Sequence, residues 1–395
     1  MPVVNRIADL TDELTGWRRH LHANPEIAFE EHETAKFVIE RLRDIGVDEI
    51  YEGLAGTGVV ALIHGQNGPA EVAEDRIALR ADMDALPMDE KTGLDHASTK
   101  PGAMHACGHD GHTTILLGTA KYLAETRNFS GTAVLIFQPA EENGGGAEVM
   151  MREGLFEQFP VRSVWGLHNS PALPVGKIAT RTGPSMAAVD DFTIHIKGKG
   201  GHAARPQDSV DPIFIGTHLY QALQGIVSRK TNPIQQAVLS VTQFHAGSAF
   251  NVIPDDAVLN GTVRTFDAKL RDDIEARMRQ IAKGAALQFG AEITIEYERG
   301  YPPLVNHAVE TGIAGQVAAD VVGEEHVLKE IEPIMGGEDF AYMLEDLPGS
   351  YVWIGQADDD HTASVHNPYY DFNDAILPIA TSYMARMVER QLPRD

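Results

Sequence analysis

Ile7, Leu10, Leu14, Trp17 and Leu21 recur at three- and four-residue steps, the spacing of one helical face, so the chain is predicted to open with an amphipathic helix. A second helix is predicted over His32–Ile45, where Gly46 stops it. The pattern then changes to short apolar runs: VVALIH (59–64), RIALRA (76–81), TAVLIF (132–137) and SVWGLH (163–168). Helical segments stand between them, notably Thr113–Ala124 and Ala147–Arg152. Strands alternating with helices predict an α/β layer with a largely parallel sheet.

Near Asp190 the pattern shifts. FTIHIKG (192–198) reads as a strand, Asp211–Ser228 as a helix, and AVLSVTQF (237–244) and DAVLNGTVRTF (256–266) as strands. Ala268–Phe289 is a long helix and AEITIEY (291–297) a further strand. This strand–helix–strand–strand–helix–strand order predicts a compact α+β insert of the split-βαβ kind, closed by Tyr301-Pro-Pro. The chain resumes with a helix at His307–Val322, the GGEDF turn at 336–340, the strand SYVWIG (350–355) and a last helix near Asp374–Gln391.

A length of 395 residues exceeds one ordinary core and predicts two domains or more. Hydrophobic residues at 43% and charged residues at 23% describe a globular protein, not a disordered one. The net charge of −25 argues against nucleic acid or an anionic membrane as the main partner, because both would be repelled. A lone cysteine forms no internal disulfide, which suits the reducing cytoplasm. The N-terminal segment carries acids by residue 9 and no apolar core, so no signal peptide is expected. The longest uncharged stretch, Gly53–Ala70, holds five glycines and a proline and does not read as a membrane span.

The chemistry concentrates in HACGHDGH (105–112), which places three histidines, an aspartate and the only cysteine within eight positions. Asp82 and Asp84 follow one predicted strand, Pro139-Ala140-Glu141-Glu142 follows another, and His168 ends a third. Ligands of open α/β sheets bind at the carboxyl ends of strands. SVHNPYYDFND (364–374) adds His366 from the far end of the chain. Zinc-like ions accept thiolate, imidazole and carboxylate, so Cys107, His109, Glu142, His168 and His366 form a candidate ligand set for a pair of divalent cations. Asp82, Asp84 and Asp110 are available to orient imidazoles from behind. Glu141 is open to work as general base beside the metal-holding Glu142. A redox role for Cys107 lacks a second cysteine. A nucleophilic role leaves Glu141, Glu142, His168 and His366 unexplained.

RADMDALPM, MHACGHDGHT, FQPAEE, GLHN, GGHAARP, NVIPD, GTVRTF, GGEDF and VHNPYYDFND occur in this order over almost the whole chain. Together they resemble the aminoacylase/carboxypeptidase family of dinuclear metallohydrolases, in the branch of hippurate hydrolases and plant auxin-conjugate amidohydrolases. The resemblance implies a metallopeptidase-like catalytic domain over 1–186 and 301–395, its mixed, largely parallel sheet flanked by helices. An inserted α+β lid or dimerisation domain would span 187–300. It implies the same five metal ligands, Glu141 as the base that activates water, and Asp84 as the aspartate that orients the site. Other branches carry His-x-Asp where this chain has Asp82-Met-Asp84.

By the same resemblance His202 reaches a neighbouring subunit's active site and stabilises the oxyanion, while Asn251 and Arg264 hold a substrate carboxylate. A guanidinium suits that task because it grips carboxylate in two places. The implied reaction is hydrolysis of the amide of an N-acyl amino acid such as hippurate, with two divalent ions (manganese, zinc, nickel or cobalt) per subunit, in a cytoplasmic homodimer or larger homo-oligomer. A dipeptidase or carboxypeptidase, and a deacetylase of an acylated diamino acid, are the alternatives on the same site. A catalytically silent metal- or ligand-binding protein is the non-enzymatic one, and the intact Glu141–Glu142 pair speaks against it.

Overall fold

The computed structural model describes residues 3–394, and the chain divides into two compact units. The first runs to Gly183 and resumes over Val305–Glu332 and from Asp339; the second holds Pro184–Leu304 and Pro333–Glu338. The boundaries expected at 186/187 and 300/301 therefore fall at 183/184 and 304/305. The GGEDF stretch is divided between the units because its first half pairs with the start of the second: Ala187 N–H donates to Gly336 O at 2.9 Å, and Ile334 N–H to Ser185 O at 3.0 Å.

In the first unit an eight-stranded sheet has the order Glu49–Leu54, Gly58–His64, Thr132–Gln138, Arg76–Asp82, Val164–Pro174, Gly349–Ala357, Ile178–Thr180, Val327–Lys329. The sheet is mixed. Three consecutive pairs in its middle are parallel, as is the last pair at one edge. The other three pairs are antiparallel. Every residue of Thr132–Gln138 is buried, which is why the central strands read as unbroken apolar runs. The edge strand Glu49–Leu54 is half exposed, carries glutamates, and left no such run to read.

Two predicted boundaries move in ways that matter for the site. The helix expected from Thr113 begins at His109 and runs to Thr126, with Gly108 before it at φ 99°, a left-handed conformation that glycine adopts without steric cost. The strand expected to end at His168 continues to Pro174, so His168 lies within it, opposite Trp353. The opening helix is also broken, into Asn5–Ala8 and Thr11–Ala23. Helix His109–Thr126 is buried along most of its length and packs against Thr11–Ala23 and Leu377–Gln391. A Cβ at Gly118 would stand 2.9 Å from a Leu14 methyl and 3.1 Å from that of Thr381, so glycine lets three helices close on one another. Ile7, Leu10, Leu14 and Leu21 are buried here, each contributing roughly 1.5–3 kcal/mol of transfer free energy.

The second unit is built on a four-stranded antiparallel sheet, in the order Ala237–Ala246, Asp256–Thr265, Ala188–Lys197, Glu292–Arg299. Along Asp256–Thr265 buried residues alternate with half-buried ones. The buried side packs with helices Pro212–Lys230 and Ala268–Phe289 through Phe192, Ile194, Leu259, Leu219 and Ile274. Both helices start on an aspartate cap. Asp211 accepts from the N–H groups of Ile213 and Phe214, and Asp267 accepts from that of Leu270. Among the described residues no helix is long and apolar enough to cross a membrane.

Candidate metal centre

Three neighbouring strands deliver the chemistry. Arg76–Asp82 ends in Asp82 with Asp84 just beyond it, Thr132–Gln138 runs into Pro139-Ala140-Glu141-Glu142, and Val164–Pro174 carries His168. The loop before helix His109–Thr126 brings Cys107, the helix itself opens on His109, and the loop after strand Gly349–Ala357 brings His366. Their donor atoms converge. Cys107, His109 and His168 form one cluster with all donors within 4.8 Å of one another; Cys107, Glu142 and His366 form a second; His109, Glu141 and Glu142 form a third. The overlapping clusters contain the five expected ligands and the expected base.

Each side chain is held from behind. His109 Nδ1 lies 2.9 Å from the Asp84 carbonyl oxygen and 3.2 Å from its carboxylate, both acceptors, so Nδ1 keeps its proton and Nε2 is the nitrogen that faces the cluster. His168 donates from Nδ1 to the Asn169 carbonyl at 2.7 Å, leaving Nε2 at 3.3 Å from Cys107 Sγ. The Asp84 carboxylate also accepts from the N–H groups of Glu141 (3.0 Å) and Glu142 (2.9 Å). His366 stands at φ 61°, its N–H on the Ala106 carbonyl at 2.7 Å, with Nε2 at 3.3 Å from Glu142 Oε1. At Gly108, between Cys107 and His109, a Cβ would meet Asn169 Oδ1 at 2.3 Å and the Tyr370 hydroxyl at 2.7 Å.

The electrostatics fit cations. Asp82, Asp84 and Glu141 are buried, with Glu142 nearly so, while the buried guanidinium of Arg80 binds Asp82 at 2.6 Å and Asp339 at 2.8 Å. Burial disfavours charge on His109, yet Asp82, Asp84 and Glu142 outweigh it and hold its pKa up at about 10. Burial and then Glu142, Glu141 and Asp82 push the Cys107 thiol up. His109 Nε2 is buried without a hydrogen bond, and Glu142 Oε1 is buried with only the His366 imidazole at 3.3 Å beside it, an arrangement that costs free energy unless an ion takes the place of the His109 proton. Soft sulfur, imidazole and carboxylate donors together match a borderline-soft divalent ion.

Some expectations change. Asp110 orients no metal ligand. One residue beyond His109 the helix has turned ~100°, and Asp110 instead accepts from His22 at 2.8 Å with Arg18 at 3.7 Å. Asp82 lies 3.8 Å from His109 Nε2 but 2.6 Å from His112 Nδ1, so its closest imidazole is one the sequence reading left unassigned. His112, one turn on from His109, bridges Asp82 and Asn169 Oδ1 (2.8 Å) and lies edge-on to His168. Its i, i+3 spacing from His109 was the signal that could have found it. Arg80 and Glu31, both fully buried, were missed too; only the structure brings them under the site. His105 is buried among side chains without a hydrogen bond from either nitrogen, and joins no cluster of metal donors.

In the second unit His202 is exposed on a short ribbon, Gly201–His202 paired with Val252–Ile253, and its Nδ1 accepts from the Ala204 N–H at 3.1 Å. Asn251, also exposed, precedes that ribbon's second strand and takes the Ala203 N–H on its carbonyl. Arg264 lies near the end of strand Asp256–Thr265, with Nη1 donating to the Val263 carbonyl at 3.0 Å and to the Thr262 hydroxyl.

Hippurate hydrolase of Campylobacter jejuni is 40% identical to this chain over 392 residues, covering 99% of the chain and 100% of the relative. N-acetyl-L-cysteine deacetylase of Bacillus subtilis is 42% identical over 390 residues, covering 98% and 90%. The crystal structure of the Bacillus subtilis YxeP protein, described as a dinuclear metal binding peptidase, superposes with a TM-score of 0.84 at 36% identity, covering 98% and 99% of the two chains. The family model of peptidases M20/M25/M40 matches residues 78–390, a span that takes in every donor of the cluster, and the chain belongs to that family.

Proposed function

We propose that this protein hydrolyses the amide bond of N-acyl amino acids, with Cys107, His109, Glu142, His168 and His366 holding two divalent ions and Glu141 serving as general base. The chain is a metal-dependent amidohydrolase by family; the proposal concerns its substrate and the division of labour among its side chains. The observation that carries it is the convergence of a thiol, imidazoles and two glutamates in overlapping clusters whose donor atoms lie within 4.8 Å of one another, with His109 Nε2 buried and making no hydrogen bond.

Bound ions would supply Lewis acidity and lower the pKa of water toward ~7. The rest falls to the chain. Glu141, 3.9 Å from His109 Nε2, takes the proton of the attacking water on its carboxylate and returns it to the departing amine nitrogen. Asp84 keeps Glu141 and Glu142 at fixed places by holding both their N–H groups. Arg264 and Asn251 take the free carboxylate of the substrate, and His202 steadies the oxyanion; donors of that kind are worth ~3–4 kcal/mol in other enzymes. In a protein of net charge −25, the ions and Arg264 are what attract an anionic substrate.

His202 acts in a neighbouring subunit on this reading, so the protein works as a homodimer. Strand Ala237–Ala246 lies at the edge of its sheet, and Tyr220, Phe244, Phe250 and Val252 of the same unit are exposed. Cys107 needs a reducing setting to serve as a ligand, in keeping with the cytoplasm.

The test is a panel of hippurate, N-acetyl amino acids and dipeptides, assayed after elemental analysis of protein loaded with manganese, zinc, nickel or cobalt. Turnover of N-acyl amino acids above dipeptides is expected. A metal-replete protein that cleaves only dipeptides, or nothing, would sink the reading.

A further inference from the structure

From the turn that carries Glu141 and Glu142 we infer that Glu31 is a positioning residue for both, acting through the backbone of Ala140. Ala140 adopts φ 55°, a left-handed conformation that a residue with a Cβ holds only when its surroundings enforce it. Three consecutive amides leave this turn toward carboxylates. Glu141 and Glu142 donate to Asp84, and Ala140 donates to Glu31 Oε1 at 2.9 Å. The Ala140 carbonyl accepts from the Gly146 N–H at 3.0 Å, so both polar groups of the strained residue are engaged.

Glu31 is itself fixed. It is fully buried at the start of helix His32–Ile45, and its Oε2 accepts from the Thr57 hydroxyl at 2.7 Å. Its place in the sequence, among the acids of FEEHE, reads as an exposed helix start, and nothing in the spacing marks it as different from Glu30. Glu30 is exposed. A buried carboxyl aimed at one strained amide, directly before the two working glutamates, has its purpose in setting where those glutamates point. Burial pushes the Glu31 carboxyl up to about 7, so a neutral acceptor in the same place changes little.

The inference rests on reading Glu142 as ligand and Glu141 as base, and its test separates the two. Zinc dissociation constants would be measured by chelator competition for the wild-type protein, Glu31→Leu and Glu31→Gln, with kcat and KM alongside. Leucine fills the same space without an acceptor, whereas glutamine still offers a carbonyl to the Ala140 N–H. Glu31→Leu is expected to weaken zinc by about tenfold, the lower end of what supporting-shell changes cost at metal sites. Its kcat should fall more than its KM rises, while Glu31→Gln stays within about threefold of wild type on the same scale.

Wild-type zinc affinity in folded Glu31→Leu would overturn the inference. So would equal impairment of the leucine and glutamine variants. If Glu31→Leu does not fold, Glu31→Asp, which withdraws the carboxylate by one methylene, carries the same comparison. Metal binding without turnover of any N-acyl amino acid by the wild-type protein would count against the proposed substrate only, since the zinc comparison needs no substrate.

Discussion

A single carboxylate, that of Asp84, accepts from Glu141 N–H, Glu142 N–H and His109 Nδ1, so one side chain sets the place of the proposed base and two proposed ligands. Asp84→Asn turns one of its oxygens into an NH2 facing backbone donors. Its zinc affinity should fall by roughly 10–100-fold, read by chelator competition. Glu141→Gln should keep both ions by elemental analysis and lose ~10²–10⁴-fold in kcat. Gly108→Ala combines a φ of 99° with a Cβ 2.3 Å from Asn169 Oδ1, so the purified variant should retain less metal than wild type. At this scale the converging donors were legible as candidates, because sulfur, imidazole and carboxylate in HACGHDGH and QPAEE have little reason to follow buried strands otherwise. The supports were not. Arg80 and Glu31 act over sequence separations that spacing does not encode, such as the 109 residues from Glu31 to Ala140.

Among the elements, three of the four parallel strands at the middle of the sheet, Thr132–Gln138, Arg76–Asp82 and Val164–Pro174, decide the site, because parallel neighbours put their carboxyl ends side by side. Beneath them the buried Arg80 ties strand Arg76–Asp82 to Gln138 (2.7 Å) and to Asp339 (2.8 Å) at the start of helix Phe340–Asp346. Replacing it by methionine leaves buried carboxylates without their cation. A loss of ~3–5 kcal/mol in the free energy of unfolding by urea is expected, and a loss under 1 kcal/mol would show that the network is dispensable. The central strands and long helices were legible as apolar runs and three-to-four spacing. The short strands Ile178–Thr180 and Val327–Lys329 were not, since three residues carry no period. The helix start at His109 was hidden because its first turn, HDGH, is polar by composition and buried by circumstance.

At the scale of the whole molecule, ions would link segments near residues 107, 142, 168 and 366, so chelation should lower the melting temperature as well as abolish turnover. Away from the ions, a second buried network governs stability. Burial opposes charge on His22, but the hydrogen bond and charge of Asp110, aided by Glu90, outweigh it and hold its pKa up at about 9. Arg18, His96 and His105 lie beside the same pair. A folded-state pKa above the unfolded value of ~6.5 gives a contribution that is complete below ~6.5 and is lost as pH rises through 9. The stability advantage of metal-free wild type over His22→Gln should therefore shrink between pH 6.5 and 9.5 in urea titrations. An advantage constant over that range would contradict the assignment. The two-unit plan was legible as a change of strand and helix order near Asp190. The return of residues 333–338 to the second unit was not, because that link is made by backbone hydrogen bonds that any sequence could form. The account as a whole turns on the ions. Anomalous diffraction from zinc-loaded crystals tests it most directly. Two peaks per subunit are predicted, with Cys107, His109, Glu142, His168 and His366 at ~2.0–2.3 Å and Glu141 bound to neither. One peak, or a Glu141 oxygen at bonding distance with Glu142 displaced, would contradict it.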